Sequence, residues 1–144
     1  MFLLDTNVIS ELRKIGDARV NVNVATWVAE QDAESFHISA LTLLEIEIGI
    51  LRIKRRDTEQ GNRLREWMDR NVLTEFLGRI LPVDAAIALK CAKLHVPDPR
   101  PERDVLIAAT AMVHGMTVVT RNLADFDFAE VKTINPWLTN CPTK

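Results

Sequence analysis

Short apolar runs alternate with longer segments of helical periodicity along this chain, and that alternation restricts the fold more than any other feature. The pattern is typical of a parallel sheet covered by helices on both faces. We therefore predict an α/β protein, an α/β/α sandwich with a central, mostly parallel sheet of four to five strands. The predicted strands span residues 2–4, 35–38, 79–82, 117–120 and 132–134. The predicted helices span residues 8–14, 22–31, 40–55, 58–76, 85–94 and 102–114.

The size and composition of the chain predict a single domain over residues 1–144. With 47% apolar and 26% charged residues, the chain has ordinary globular usage. Cys91 and Cys141 are far apart and form no CxxC pair, so neither a disulfide framework nor a thiolate zinc site is indicated. No signal-peptide or membrane-length apolar run is present, so we expect a cytoplasmic protein with no membrane contact.

The charge balance bounds the way in which this chain can contact nucleic acid. Its 18 Lys and Arg against 20 Asp and Glu give a formal net charge of -2. This excludes a broad basic surface, so any nucleic-acid contact must be local. Arg52, Lys54, Arg55 and Arg56 are either a local grip on RNA phosphates or a solvated helix end that complements the helix dipole. Arg100 and Arg103 are alternative phosphate contacts.

Asp5 follows the first predicted strand directly. In an open parallel sheet, ligands bind beyond the carboxyl ends of the strands, where the strand order reverses. Asp5 is therefore a candidate site residue at that edge. The alternative is that Asp5 serves only as the N-cap of the helix that follows.

Glu45 lies in a predicted helix whose apolar residues nearly surround it on the helical wheel, whereas Glu47 points to the opposite side. Gly49, one turn on, leaves space beside the Glu45 carboxylate. Either Ser39 or Thr42 can cap this helix. The alternative interpretation of Glu45 is a capping box formed with Thr42.

Asp104 opens the last long helix and shares one side of it with a stripe of small residues, Ala108, Ala111 and Gly115. These small residues let the helix lie close to the sheet. A carboxylate at this position also stabilises the helix by interacting with the positive end of its dipole. The alternative is therefore that Asp104 has only this structural role.

The three carboxylates, of Asp5, Glu45 and Asp104, lie on elements that we expect to border one crevice. Clustered acids repel one another and require a cation, and oxygen ligands without His or Cys favour Mg²⁺ or Mn²⁺ over zinc. Such an ion can activate water against a phosphodiester, so we hypothesise metal-assisted phosphodiester hydrolysis. The three histidines, at positions 37, 95 and 114, show no metal-ligand spacing and are interpreted as structural.

Four segments of the chain carry a resemblance to a known family: LLDTNVISEL, SALTLLEIEIG, RDVLIAATAMVHGMTVVTRN and INPW. The sequence resembles the PIN-domain ribonucleases, specifically the VapC and FitB group of type II toxins. The resemblance implies a PIN-like fold and a Mg²⁺-dependent endoribonuclease. By position, it makes Asp5, Glu45 and Asp104 metal-binding and catalytic, with Asp5 and Asp104 as the direct ligands. Thr6, Asn7 and Thr120 correspond to supporting positions.

Asn122, the fourth catalytic position that the resemblance implies, departs from the pattern, because many members carry an aspartate there. An amide oxygen can coordinate a metal or hold a water but brings no charge, which leaves a second metal in question. Asp125 or Asp127 could substitute, although we expect both in a solvated turn. Asn122 motivates an alternative function, a weakly active or inactive PIN-fold binding module that acts through an antitoxin and DNA.

The resemblance also implies partners. It predicts a homodimer, an RNA substrate and a small VapB-type antitoxin that occludes the pocket. It predicts contact with operator DNA only through the antitoxin.

Overall fold

A computed structural model describes residues 1–15 and 19–138, and in this part of the chain it contains one five-stranded, all-parallel sheet. The strands are β1 (Phe2–Leu4), β2 (Phe36–Ser39), β3 (Ile80–Leu81), β4 (Thr117–Val119) and β5 (Thr133–Ile134). Their order across the sheet is β3-β2-β1-β4-β5. The predicted parallel sheet is confirmed, and its strands lie within two residues of the predicted bounds.

The helices lie close to the predicted segments, with differences at their ends. They are α1 (Thr6–Leu12), α2 (Val22–Ala29), α3 (Ala40–Arg56), α4 (Thr58–Trp67), α5 (Leu73–Glu75), α6 (Ala85–Leu94) and α7 (Glu102–His114). The helix predicted over residues 58–76 is interrupted by a π-helical turn at Met68–Val72. Helix α1 begins two residues earlier than predicted, because the Asp5 side chain accepts a hydrogen bond from the backbone N–H of Thr6.

Helices cover both faces of the sheet, and successive strand residues point to opposite faces. Leu4 and Val119 pack on one side with α1, α2 and α3, whereas Leu3 and Val118 pack on the other side with α7. All four of these side chains are fully buried. The register between β1 and β4 places Leu3 beside Val118 and Leu4 beside Val119. The helices on both faces of the sheet therefore pack against the same two central strands. The predicted α/β/α sandwich is confirmed.

Hydrogen bonds at the helix ends explain where several helices begin and end. Ser39 caps α3 by accepting the backbone N–H of Leu41, which decides between the two predicted caps. Asp84 caps α6 as predicted, accepting the backbone N–H of Ile87 at 3.0 Å. Gly115 ends α7 in the left-handed conformation with φ +66°, which glycine adopts at no steric cost.

The sheet order places a crevice at the carboxyl ends of β1 and β4. The chain runs outward from β1 to β2 and β3, then returns across the sheet to β4 and β5. The strand order therefore reverses between β1 and β4, the position where open parallel sheets bind ligands.

Cys91 is a buried free thiol, and Cys141 lies outside the described residues. In the described ranges no helix combines the length and the apolar character that are needed to cross a bilayer.

Candidate active site

A polar cavity of about 300 Å³ opens at this crevice. The four site residues predicted from the sequence, Asp5, Glu45, Asp104 and Asn122, all line it. The other lining residues are Thr6, Asn7, Arg103, Ile107 and Asp125. Residues from the junction of β1 and α1, from α3, from α7 and from the segment after β4 thus meet in one place, although they are separated by up to 120 positions in the chain.

Asp5 combines the two roles that the sequence left open. Its Oδ1 accepts the backbone N–H of Thr6 at 2.8 Å and so caps α1. Its Oδ2 accepts the hydroxyl hydrogen of Thr120 at 2.9 Å. Burial raises the pKa of the Asp5 carboxyl, and the two hydrogen bonds offset part of that effect. The charges of Glu45 and Asp125 raise the pKa further. Asp5 is thus both a cap and a carboxylate held in the cavity.

The Glu45 side chain contacts residues of the cavity and does not form a capping box. Its Oε1 accepts the hydroxyl hydrogen of Thr6 at 2.8 Å, and its Oε2 lies 3.8 Å from an Nη1 of Arg103. The alternative with Thr42 is wrong, because α3 is capped by Ser39 and the buried Thr42 hydroxyl has no hydrogen-bond partner among the described residues. The Thr6 contact aims the carboxylate of Glu45 toward the end of β1.

Asp104 occupies the first turn of α7 and faces the same cavity. Burial raises the pKa of its carboxyl to about 6, and the charges of Asp125, Asp5 and Glu45 contribute to the shift. The Asp5 and Asp104 carboxyls, both with raised pKa values, therefore resist ionisation in the protein alone. A divalent cation would remove this repulsion, and oxygen donors are the ligands that Mg²⁺ and Mn²⁺ prefer. The residues present thus fit a hard divalent cation.

Asp125, which the sequence offers as a substitute for Asn122 but predicts to lie in a solvated turn, is a site residue. It lies in a 3₁₀ turn over Leu123–Phe126, whose backbone is fixed by a hydrogen bond from the Asp125 N–H to the Asn122 carbonyl, 3.0 Å. The turn is exposed as expected, but Asp125 also lines the cavity and raises the pKa of both Asp5 and Asp104. Asn122 lines the same cavity without adding charge. A fourth carboxylate therefore comes from Asp125.

Thr120 organises the floor of the site. It is fully buried, and its hydroxyl donates to Asp5 and accepts from the side-chain amide of Asn7 at 3.3 Å and the backbone N–H of Asn122 at 3.1 Å. Asn7 in turn accepts the backbone N–H of Arg121 at 3.2 Å. This network supports the prediction that Thr6, Asn7 and Thr120 are supporting residues.

Replacing Thr120 with valine should keep the shape of the side chain while removing this hydroxyl. We expect the free energy of unfolding to fall by about 1–2 kcal/mol, because two donors and one carboxylate lose a buried partner. The Thr120 hydrogen bond lowers the pKa of Asp5, so its loss should raise that pKa further. Urea denaturation and a pH titration of the Asp5 carboxyl by NMR measure both effects. An unchanged Asp5 titration would contradict this role for the hydroxyl.

Two basic residues that the sequence offered as phosphate contacts differ in position. Arg103 lines the cavity and keeps about half of its side chain exposed. Arg100 instead stacks its guanidinium over the ring of Phe128, 5.4 Å from the centroid. Arg103 is thus the member of this pair that can reach a phosphate in the cavity.

A second group of metal-ligand side chains lies away from this cavity. Within the described ranges, the ligand atoms of Cys91, His95 and Glu102 lie within 4.8 Å of one another, a grouping that the sequence did not indicate. Its Nδ1 accepts the backbone N–H of Arg100 at 3.3 Å, which leaves the ring hydrogen on Nε2. That nitrogen has no free lone pair for a metal, so the acidic cavity remains the candidate metal site.

The fold and the cavity together define a class of protein, an α/β protein with a carboxylate-rich pocket at the carboxyl edge of a parallel sheet. The family model described as "PIN domain" matches residues 2–133. This chain belongs to the PIN domain family.

Curated relatives and solved structures agree with that assignment. The chain is 36% identical to "Toxin FitB" of Neisseria gonorrhoeae, with 95% of this chain and 99% of the relative covered. It is 37% identical to "VapC ribonuclease Y4jK" of Sinorhizobium fredii, with 95% and 98% covered. The structure is similar to that of FitAB bound to the IR36 DNA fragment, with a TM-score of 0.86 and 35% identity over 97% of this chain and 98% of that one.

Proposed function

We propose that this chain is the toxin of a type II toxin–antitoxin pair and acts as a Mg²⁺-dependent endoribonuclease. The observation that carries the proposal is the convergence of Asp5, Glu45, Asp104 and Asp125 on one cavity at the strand-order reversal. The relatives named as a VapC ribonuclease and as toxin FitB support the same activity. Mn²⁺ suits the same oxygen donors.

The carboxylates divide into two groups by their contacts. Asp5 and Asp104 have raised pKa values in the protein alone, so they gain most from a cation and are proposed as direct ligands. The guanidinium of Arg103, 3.8 Å from Oε2 of Glu45, already offsets the charge of this carboxylate, so Glu45 is proposed to hold a water beside the ion. Asn122 is proposed to hold a water through its amide oxygen.

When bound, a divalent cation offsets the charge of the phosphodiester and promotes ionisation of a water for in-line attack. The protein contributes positioning. Thr6 and Thr120 fix the Glu45 and Asp5 carboxylates, so neither has to reorganise during the reaction. The guanidinium of Arg103 lies on the rim, where it can pair with a phosphate oxygen in place of Glu45.

The direct test uses the purified chain without any partner. Single-stranded RNA should be cleaved in Mg²⁺ or Mn²⁺, and excess EDTA should abolish the cleavage. Equal cleavage in EDTA would contradict the metal mechanism.

The alternative function, a weakly active binding module, arose from the uncharged Asn122, and Asp125 restores the missing charge. Robust cleavage by the wild type that is lost on replacing Asp5 would exclude that alternative.

A VapB-type antitoxin is the proposed protein partner. FitAB is the assembly in the related structure, where it is bound to DNA. We propose that this chain contacts operator DNA only through its antitoxin, because its net charge is -2.

An apolar groove of about 470 Å³ between α1 and the segment after α4 provides a surface for the antitoxin. Its apolar lining includes Ile9, Leu12, Trp67, Val72 and Phe76. A short neighbouring reading frame whose product copurifies with this chain would test the pairing.

A homodimer is also proposed. Leu44 and Leu51 lie two helical turns apart on α3, with 44% and 50% of their surface exposed. Two such leucines on one side of a helix provide apolar surface against which a second copy can pack. Replacing Leu51 with glutamate should convert a dimer into a monomer in a light-scattering measurement of molar mass. A dimeric mass in this variant would exclude the α3 surface as the interface.

A further inference from the structure

Helix α3 leads from the acidic cavity to a cluster of positive charge. Glu45 lines the cavity, and Arg52 and Arg56 follow it by seven and eleven residues. At about 100° per residue, both arginines return to within about 20° of the direction of Glu45. At 1.5 Å per residue, they lie about 10 Å and 17 Å farther along the helix axis. One side of α3 therefore carries an acid at the cavity and two cations beyond it.

The surface between the cavity and Arg52 is open. Gly49 occupies this position, about 40° from the direction of Glu45. A Cβ atom built on Gly49 would meet nothing within 4 Å. Glycine is a poorer helix former than alanine, yet Gly49 lies in the middle of this helix. No side chain of this helix therefore stands between the acids and the two arginines.

The cations at this end of α3 are not neutralised by neighbours. Arg52, Lys54, Arg55 and Arg56 are exposed, and none forms an ion pair with another residue in the described ranges. The adjoining helix α4 differs, since Arg63 and Arg65 pair with Glu59 and Glu47. Positive charge is thus available to an anionic ligand at the end of α3.

We propose that Arg52 and Arg56 bind phosphates of the RNA strand as it leaves the cavity and passes over Gly49 along α3. This inference rests on the proposed ribonuclease function and adds the direction in which the substrate lies. Arg103, on the rim of the cavity, holds the strand at the reacting end. A role limited to the helix dipole would instead involve Lys54, Arg55 and Arg56, which all lie in the last turn.

Two double variants with equal charge loss separate these possibilities. The test variant is Arg52→Gln with Arg56→Gln. The matched control is Lys54→Gln with Arg55→Gln, because Lys54 points to the opposite side of α3 and Arg55 about a quarter turn away. Steady-state cleavage of a labelled single-stranded RNA gives kcat and KM. Binding is measured with the cleavage-deficient Asp5→Asn background at several salt concentrations, and light scattering checks that the oligomeric state is unchanged.

In the test variant we expect KM and Kd to rise roughly tenfold, with kcat within about twofold of the wild type. The slope of log Kd against log salt should fall by about 1.4, since each lost phosphate contact on a single strand contributes about 0.7. The control variant should show a change of less than about threefold in Kd. Equal weakening in both variants, or no weakening in the test variant, would overturn the proposal.

Gly49 provides a second test that does not alter charge. Gly49→Leu places a bulky side chain in the open surface, whereas Gly49→Ala fills little of it, and both residues favour the helix more than glycine does. We expect Gly49→Leu to raise Kd and Gly49→Ala to leave it unchanged. Equal affinity in both variants would contradict a strand that passes over this position. If the wild-type chain neither binds nor cleaves RNA, the proposed function itself fails, which is a different result from weakened binding in the variants.

Discussion

Replacing Asp5 with asparagine should lower the rate of RNA cleavage by about a thousandfold. Asparagine retains an oxygen that can accept the Thr6 N–H, and it is itself a good N-cap, so α1 should still form. The substitution removes the charge that we propose binds the metal, without removing the side chain. The loss should therefore appear in catalysis and in metal affinity while the protein stays folded.

The measurement is single-turnover cleavage in saturating Mg²⁺, with circular dichroism and thermal denaturation as checks of the fold. Asp127→Asn is the matched control, because Asp127 lies two residues from Asp125 but does not line the cavity. The control should retain full activity. An Asp5→Asn variant that cleaves within about tenfold of the wild type would contradict the assignment of Asp5 as a direct ligand.

Replacing Asp104 with asparagine should abolish cleavage and yet stabilise the metal-free protein at neutral pH. Burial and three neighbouring charges raise the pKa of Asp104 to about 6 in the folded state, whereas the unfolded chain has the ordinary value of 3.8. Between these values the folded state holds more protons than the unfolded state, so the stability falls as pH rises. The contribution of the Asp104 carboxyl to the stability of the folded state is complete below about pH 4 and is lost as the pH rises through about 6.

Because Asp104 is partly exposed, solvent screening reduces this effect to about 1 kcal/mol at pH 7.5. In EDTA, Asp104→Asn should therefore raise Tm by about 4 °C at pH 7.5 and by much less at pH 4. Mg²⁺ should raise the Tm of the wild type at pH 7.5 and leave the variant nearly unchanged. If the variant is less stable than the wild type in EDTA at pH 7.5, burial and repulsion by the neighbouring carboxylates do not destabilise the ionised Asp104 side chain.

Much of the site could be predicted because its residues obey local rules. Asp5 follows a buried strand, and Glu45 and Asp104 lie at helix positions whose direction is given by periodicity. Parallel strands bring such positions to one edge. The resemblance to PIN-domain ribonucleases then attached roles to them.

Asp125 was named as a possible substitute for Asn122 but was not assigned to the site, because a 3₁₀ turn follows no long periodicity. Its direction depends on the tertiary burial of Phe126, the next residue, which is 1% exposed. A charged residue directly before an aromatic that enters the core was the signal available in the sequence. The π-helical turn at Met68–Val72 was not predicted, because the buried Met68 and Val72 are four residues apart, a spacing that an ordinary α-helix also places on one side.

The hydrogen bond between Thr120 and Asp5 joins residues 115 positions apart, and Asp125 lies still farther along the chain. The cavity is therefore built from segments of the chain that leave the ribosome at widely separated times. At about 5–20 residues per second, an emerging chain spends several seconds with Asp5 exposed and its partners not yet made. A nuclease built in this way cannot assemble its acidic cavity until the segment that carries Thr120 and Asp125 has been synthesised.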